Sequence, residues 1–134
     1  MAKKSSASIA KIILQIAVGV FLAIAGIWAL QGGGDFAVNS LKKVFSGDVA
    51  KIVAMIFGVI ELIAGVLLVV EVFVGDKFGK FDNILGWIIL IVWLAAIVIG
   101  DFIAKGAFKP DTLEWWYNLA SHIIVGGAIW YLND

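Results

Sequence analysis

The chain has no cysteine and no arginine, and only one proline and one histidine among its 134 residues. Without cysteine, disulfides, thiolate nucleophiles and cysteine-ligated metals are excluded, and the redox compartment leaves no mark. Ten lysines balance ten acidic residues, so the chain lacks the basic footprint that nucleic acid requires. Charge of either sign is scarce at 15%, while 63% of the residues are hydrophobic and the mean hydropathy is +1.06. A soluble domain of this size leaves roughly a third of its surface in water and cannot hide so much apolar area. A lipid bilayer removes that conflict.

Four apolar stretches run through the chain: residues 9–30, 49–74, 84–104 and 113–132. Each approaches the roughly 20 residues a helix needs to cross about 30 Å of hydrocarbon. Backbone groups in lipid must pair within their own segment, so helices are expected rather than strands. The expectation is an all-α membrane protein: one domain over residues 1–134, folded as a four-transmembrane-helix bundle with both termini on one side. Lys3 and Lys4 before an apolar run containing Ala23-Ile24-Ala25 resemble a signal peptide, but the run is longer than a usual signal core.

The connections are short. Gln31-Gly32-Gly33-Gly34 closes the first span, because consecutive glycines continue a helix poorly. The segment from Asp35 to Gly47 mixes Phe36, Leu41, Val44 and Phe45 with Asn39, Lys42 and Lys43. This pattern predicts a short amphipathic helix lying at the interface and capped by Asp35. Gly75 to Lys80 forms the second connection. After Pro110, Asp111 is expected to cap the fourth helix, with Glu114 reaching back as in a capping box. Trp28, Trp115, Trp116 and Tyr117 form an expected aromatic belt at one surface, and Trp87, Trp130 and Tyr131 at the other. Lys3, Lys4, Lys77 and Lys80 on one side match Lys42, Lys43, Lys105 and Lys109 on the other, so the lysine count ties. The lysine pair before the first span orients the termini towards the cytoplasm.

Charge inside a membrane span costs about 2.5–3.5 kcal/mol on insertion scales, so polar residues there mark function. Lys11 and Glu71 share one depth and Lys51 and Asp101 another. Each pair is an interhelical salt-bridge candidate; the alternative is that the lysines snorkel and the carboxylates hydrate near the surface. Glu61 and His122 lie at the centres of their spans, with Trp93 at the same depth. Ala50, Ala54, Gly58, Glu61 and Gly65 occupy one narrow helical face that packs inward. Gly126 follows Asn118 and His122 at helical spacing, and Gln15 sits between Lys11 and Gly19 on the first helix. Glu61 and His122, with Gln15 and Trp93 near them, form a candidate polar centre. It can relay a proton or bind the carbonyl oxygens of a quinone-like ligand. The plainer alternative is that these residues fasten the helices together. One glutamate and one histidine are too few for a metal site.

The run Gly58-Val59-Ile60-Glu61-Leu62-Ile63-Ala64-Gly65 followed by Val66-Leu67-Leu68 resembles the second-helix signature of DoxX-like membrane proteins. Phe21-Leu22-Ala23-Ile24-Ala25-Gly26 is similar to the run that ends that family's first helix, and Lys11 sits where the family often places a basic residue. Ala29 stands where a lysine of that family is expected, and the second half carries no matching motif. The resemblance implies a small prokaryotic inner-membrane protein linked to quinone or thiol redox partners, with Gly26, Gly58, Glu61 and Gly65 carried over.

Two functions therefore compete, a redox accessory protein with a quinone as its possible ligand and an assembly subunit contacting itself or other membrane proteins. A carrier ranks third, because the polar groups form separated layers. No phosphate loop and no nucleophile–base pair is present, so catalysis by the chain alone is not expected.

Overall fold

In the computed structural model, residues 2–74, 79–103, 106 and 108–133 are described, with side chains from residue 9 onward and excluding 79–82. The second connection (Gly75 to Phe78) and the side chains of Lys3, Lys4, Lys77, Lys80 and Lys105 lie outside the described residues. All regular structure among the described residues is helical. The order is α1 (Ala2–Leu30), α2 (Phe36–Val44), α3 (Gly47–Val74), α4 (Gly79–Ile97), a π-helical segment (Val98–Ile103) and α5 (Leu113–Asn133).

Three stretches are long and apolar enough to cross a membrane: Ile9–Leu30, Gly47–Val74 and Asn83–Ile103, with mean hydropathies of 2.4, 2.8 and 2.5. Four were expected. α5 has 21 residues, so length is not its shortfall. Glu114, Asn118, Ser121 and His122, with its Trp and Tyr residues, dilute its apolar content.

α1 and α3 make the most extensive helix pairing, and backbone proximity explains it. Gly19 lies against Gly65 and Gly26 against Gly58, in antiparallel order and seven residues apart on each helix. A Cβ on Gly26 would fall onto the Gly58 carbonyl oxygen and come within 2.6 Å of the Leu62 nitrogen. Small residues let two backbones touch and gain dispersion contacts that larger side chains would block. Gln15 Nε2 adds a hydrogen bond of 2.8 Å to the Leu68 carbonyl across the same seam. The core continues with Leu22, Phe57, Ile89, Leu90 and Trp93, all buried.

The chain reverses after α1 through Gly32 and Gly34, whose φ angles of +94° and +151° favour glycine. Asp35 then caps α2, its side chain accepting the Val38 N–H at 3.0 Å. Asn39 Nδ2 returns to the Gly34 carbonyl, and Lys42 Nζ to those of Gly32 and Gly33. α2 does not simply lie on a surface, as its amphipathic pattern suggested. Ala37, Val38 and Ser40 are buried against α3 and α4, and Ser40 Oγ reaches the Ala96 carbonyl at 3.4 Å. Part of its surface thus packs on neighbouring helices, while Val44 and the capping Phe45 stay exposed.

Two other expectations change. α5 is capped by Thr112, whose hydroxyl accepts the Trp115 N–H at 3.3 Å, and not by Asp111. The helix starts one residue later than a cap at Asp111 requires. Trp115 leaves the expected aromatic belt and turns inward, where its indole donates to the Asp101 carbonyl at 2.8 Å. That carbonyl lies in the π segment at the end of its helix, where carbonyls lack helical partners. The surface is otherwise rich in Ile, Val, Leu and Phe side chains, as a membrane span requires and a soluble surface does not.

Gly26→Leu should force α1 and α3 apart and cost about 1–3 kcal/mol, the usual range for overpacking. Gly126→Ala should be neutral or stabilising, because a Cβ there meets nothing within 4 Å. Thermal unfolding of both variants in the same detergent gives the comparison.

Candidate functional site

The polar residues singled out by depth form two clusters rather than one centre. His122 on α5 places Nδ1 2.8 Å from Asp101 Oδ2 in the π segment. Asp101 is thus engaged with His122, and among the described residues no ion pair joins it to Lys51. Lys51 instead lines a separate cleft with Ala50, Ala54 and Met55 near the start of α3. Lys11 holds its ammonium 5.6 Å from the centre of the Tyr131 ring. Glu71 is half-buried near the end of α3. Gln15 is spent on the Leu68 carbonyl and belongs to the α1–α3 seam.

Glu61 is fully buried on α3, and its carboxyl lies within hydrogen-bonding reach of Asp35. Neither Glu61 oxygen has a hydrogen-bond donor among the described residues, and neither does Asp35 Oδ2. Glu61 and His122 therefore share no hydrogen bond. Sequence reading assigned Asp35 only a capping role. One of its oxygens performs that role, and the other faces Glu61 because α2 is folded back onto α3.

Phe36, the first residue of α2, organises the second cluster. Its ring stacks on His122 with centroids 3.5 Å apart and planes at 12°, and lies 5.8 Å from the Trp93 ring. Trp93 is 6.3 Å from His122 and 6.2 Å from Phe21, so Trp93 and His122 do come together. Trp93 is 1% exposed and its Nε1 has no acceptor among the described residues. Phe36 needs Gly100 beneath it, since a Cβ there would lie 2.6 Å from the ring. The π segment carrying Gly100 also delivers Asp101 to His122. Neither contact was readable from spacing, because a π turn shifts residues away from the 3.6-residue register.

A cleft of about 360 Å³ opens beside this cluster. Phe21 and Trp28 of α1, Asp35, Phe36 and Asn39 around the start of α2, Trp93 of α4, and Ser121, His122 and Val125 of α5 line it. It lies between α1 and α5, which touch only lightly. Its volume falls within the range of small-molecule sites, and its walls combine aromatic faces with a few convergent polar groups. On another face of the bundle, between α1, α3, α4 and α5, the interior closes to a void of about 20 Å³. That void is too small for a ligand. Among the described residues no group of three metal-binding side chains occurs.

Comparison with family models, with curated proteins and with solved structures yields no match. The function must therefore be argued from this geometry.

Glu61→Gln should preserve or raise the melting temperature, because its amide gives Asp35 the donor it lacks. Glu61→Leu leaves Asp35 alone in an apolar setting and should cost about 1–3 kcal/mol. A protein that tolerates leucine better than glutamine would refute the carboxyl pairing.

Proposed function

We propose that this chain is a four-span protein of the prokaryotic inner membrane that binds a quinone-like ring ligand in the cleft between α1 and α5. In this reading it acts as an accessory component of quinone- or thiol-linked membrane redox processes, and not as an enzyme on its own. α5 is the fourth span: its 21 residues suffice in length, and its central polar residues Ser121 and His122 line the cleft. The termini then share one side, which we take as cytoplasmic, and α2 tucks into the bundle from the opposite surface. The Gly58–Glu61–Gly65 pattern on α3 and Gly26 on α1 are the basis for proposing kinship with DoxX-like proteins.

One observation carries this reading, the lateral cleft. An opening between two weakly touching spans faces lipid, which is the phase that holds quinones. Phe21, Phe36 and Trp93 offer ring faces for stacking, and His122 offers a polar edge at the end of the cleft.

A second reading, an assembly subunit, rests on a different feature. A Cβ on Gly127 meets nothing within 4 Å and the residue is exposed, so α5 presents a small residue with open space before it. A defined oligomer in mild detergent, dissociated by Gly127→Leu, would favour it.

Short-tailed menaquinone analogues should raise the melting temperature of the purified protein. Saturation at 100-fold the dissociation constant corresponds to about 2.7 kcal/mol of added stability. Phe36→Ala, which removes the ring stacked between Trp93 and His122, should remove most of the shift, while Lys51→Ala, which lines a separate cleft, should leave it intact. No shift with any quinone would exclude the reading.

A further inference from the structure

The ring-binding reading leaves open which form of the ring the cleft prefers, and the His122–Asp101 contact bears on that choice. An ionised carboxylate only accepts hydrogen bonds, so against an ionised Asp101 the imidazole nitrogen 2.8 Å from its Oδ2 is the one that carries a proton. That nitrogen is Nδ1. In a neutral imidazole the other nitrogen, Nε2, is then an acceptor with a free lone pair. His122 lines the cleft with 16% of its side chain exposed, and no hydrogen bond to Nε2 occurs among the described residues. Stacking on Phe36 fixes the ring plane, so Asp101 and Phe36 together leave Nε2 one orientation.

We propose that Asp101 sets His122 as a hydrogen-bond acceptor in the cleft, so that the site selects a flat aromatic ligand bearing a hydroxyl group over its carbonyl or ether counterpart. For a quinone-type ligand, this is a preference for the reduced form. The step is binding alone: the ligand hydroxyl donates to Nε2, and no bond is made or broken. Asp101 is a positioning residue, while His122 touches the ligand. The inference rests on the ring-binding function proposed above.

Three probes separate the possibilities: 1-naphthol, 1-methoxynaphthalene and 1,4-naphthoquinone, titrated calorimetrically into the wild-type protein in detergent. The expected order places naphthol about tenfold tighter than either of the others, the loss that follows when a buried acceptor goes unmet. Asp101→Asn, whose amide can donate to Nδ1 and move the proton to Nε2, should erase or reverse that preference. The chain has a single histidine, so nitrogen-15 spectra of the wild-type imidazole report its tautomer without assignment and without any variant. A neutral ring protonated at Nδ1 supports the inference; a proton on Nε2, in a neutral or a charged ring, overturns it. Equal affinity for naphthol and its methyl ether also overturns it, yet leaves the cleft a ring-binding site. An unchanged preference in Asp101→Asn overturns the role given to Asp101. Failure of all three probes to bind overturns the proposed function itself.

Discussion

The contact between the backbones of α1 and α3 is the constraint on which the remaining arrangement depends. Where Gly19 meets Gly65 and Gly26 meets Gly58, the two helices approach closer than side chains ordinarily permit. In a bilayer, lipid tails compete equally for apolar side chains, so close packing rather than water exclusion has to hold helices together. The seam fixes α3 beside α1 along most of its length. The loop between them must then reverse sharply, and the short helix α2 has nowhere to lie except across α3 and α4.

That folding back has electrostatic consequences. It brings the α2 cap, Asp35, to the fully buried Glu61, and neither Glu61 oxygen meets a donor among the described residues. It also inserts Phe36 between Trp93 and His122, over Gly100. The π segment supplies the complementary adjustment on α4, turning Asp101 inward to His122 and offering its carbonyl to Trp115. Asp35, Asp101 and the Trp115 indole are thus placed by irregular pieces of backbone: a glycine reversal before a short helix, and a π turn.

Helix identity and approximate ends were legible because apolar runs of about twenty residues admit few alternatives. The small-residue face of α3 was legible from its spacing, and Asp35 as the α2 cap from its position before an amphipathic run. The partners of the polar residues were not. Depth matching joined Lys51 to Asp101, whereas the structure gives Asp101 to His122, because depth says nothing about rotation about the helix axis. Glu61 and His122 share a depth too, yet Asp35 and Asp101 are their partners. Gly126 repeats at helical spacing like Gly58 and Gly65, but no other backbone presses on it, and the space a Cβ would take there is open.

Composition and periodicity alone establish that the chain is helical, strongly apolar, without cysteine, and equipped with a few polar residues inside its apolar runs. Those properties follow from composition and period, which survive any arrangement of the helices. Only the tertiary structure decided that α2 folds into the bundle, that the polar residues divide into a carboxyl pair and a histidine–aspartate pair, and that a cleft opens between α1 and α5. These depend on helix rotation and on a local change of helical pitch. Neither leaves a signature in the order of residues along one chain.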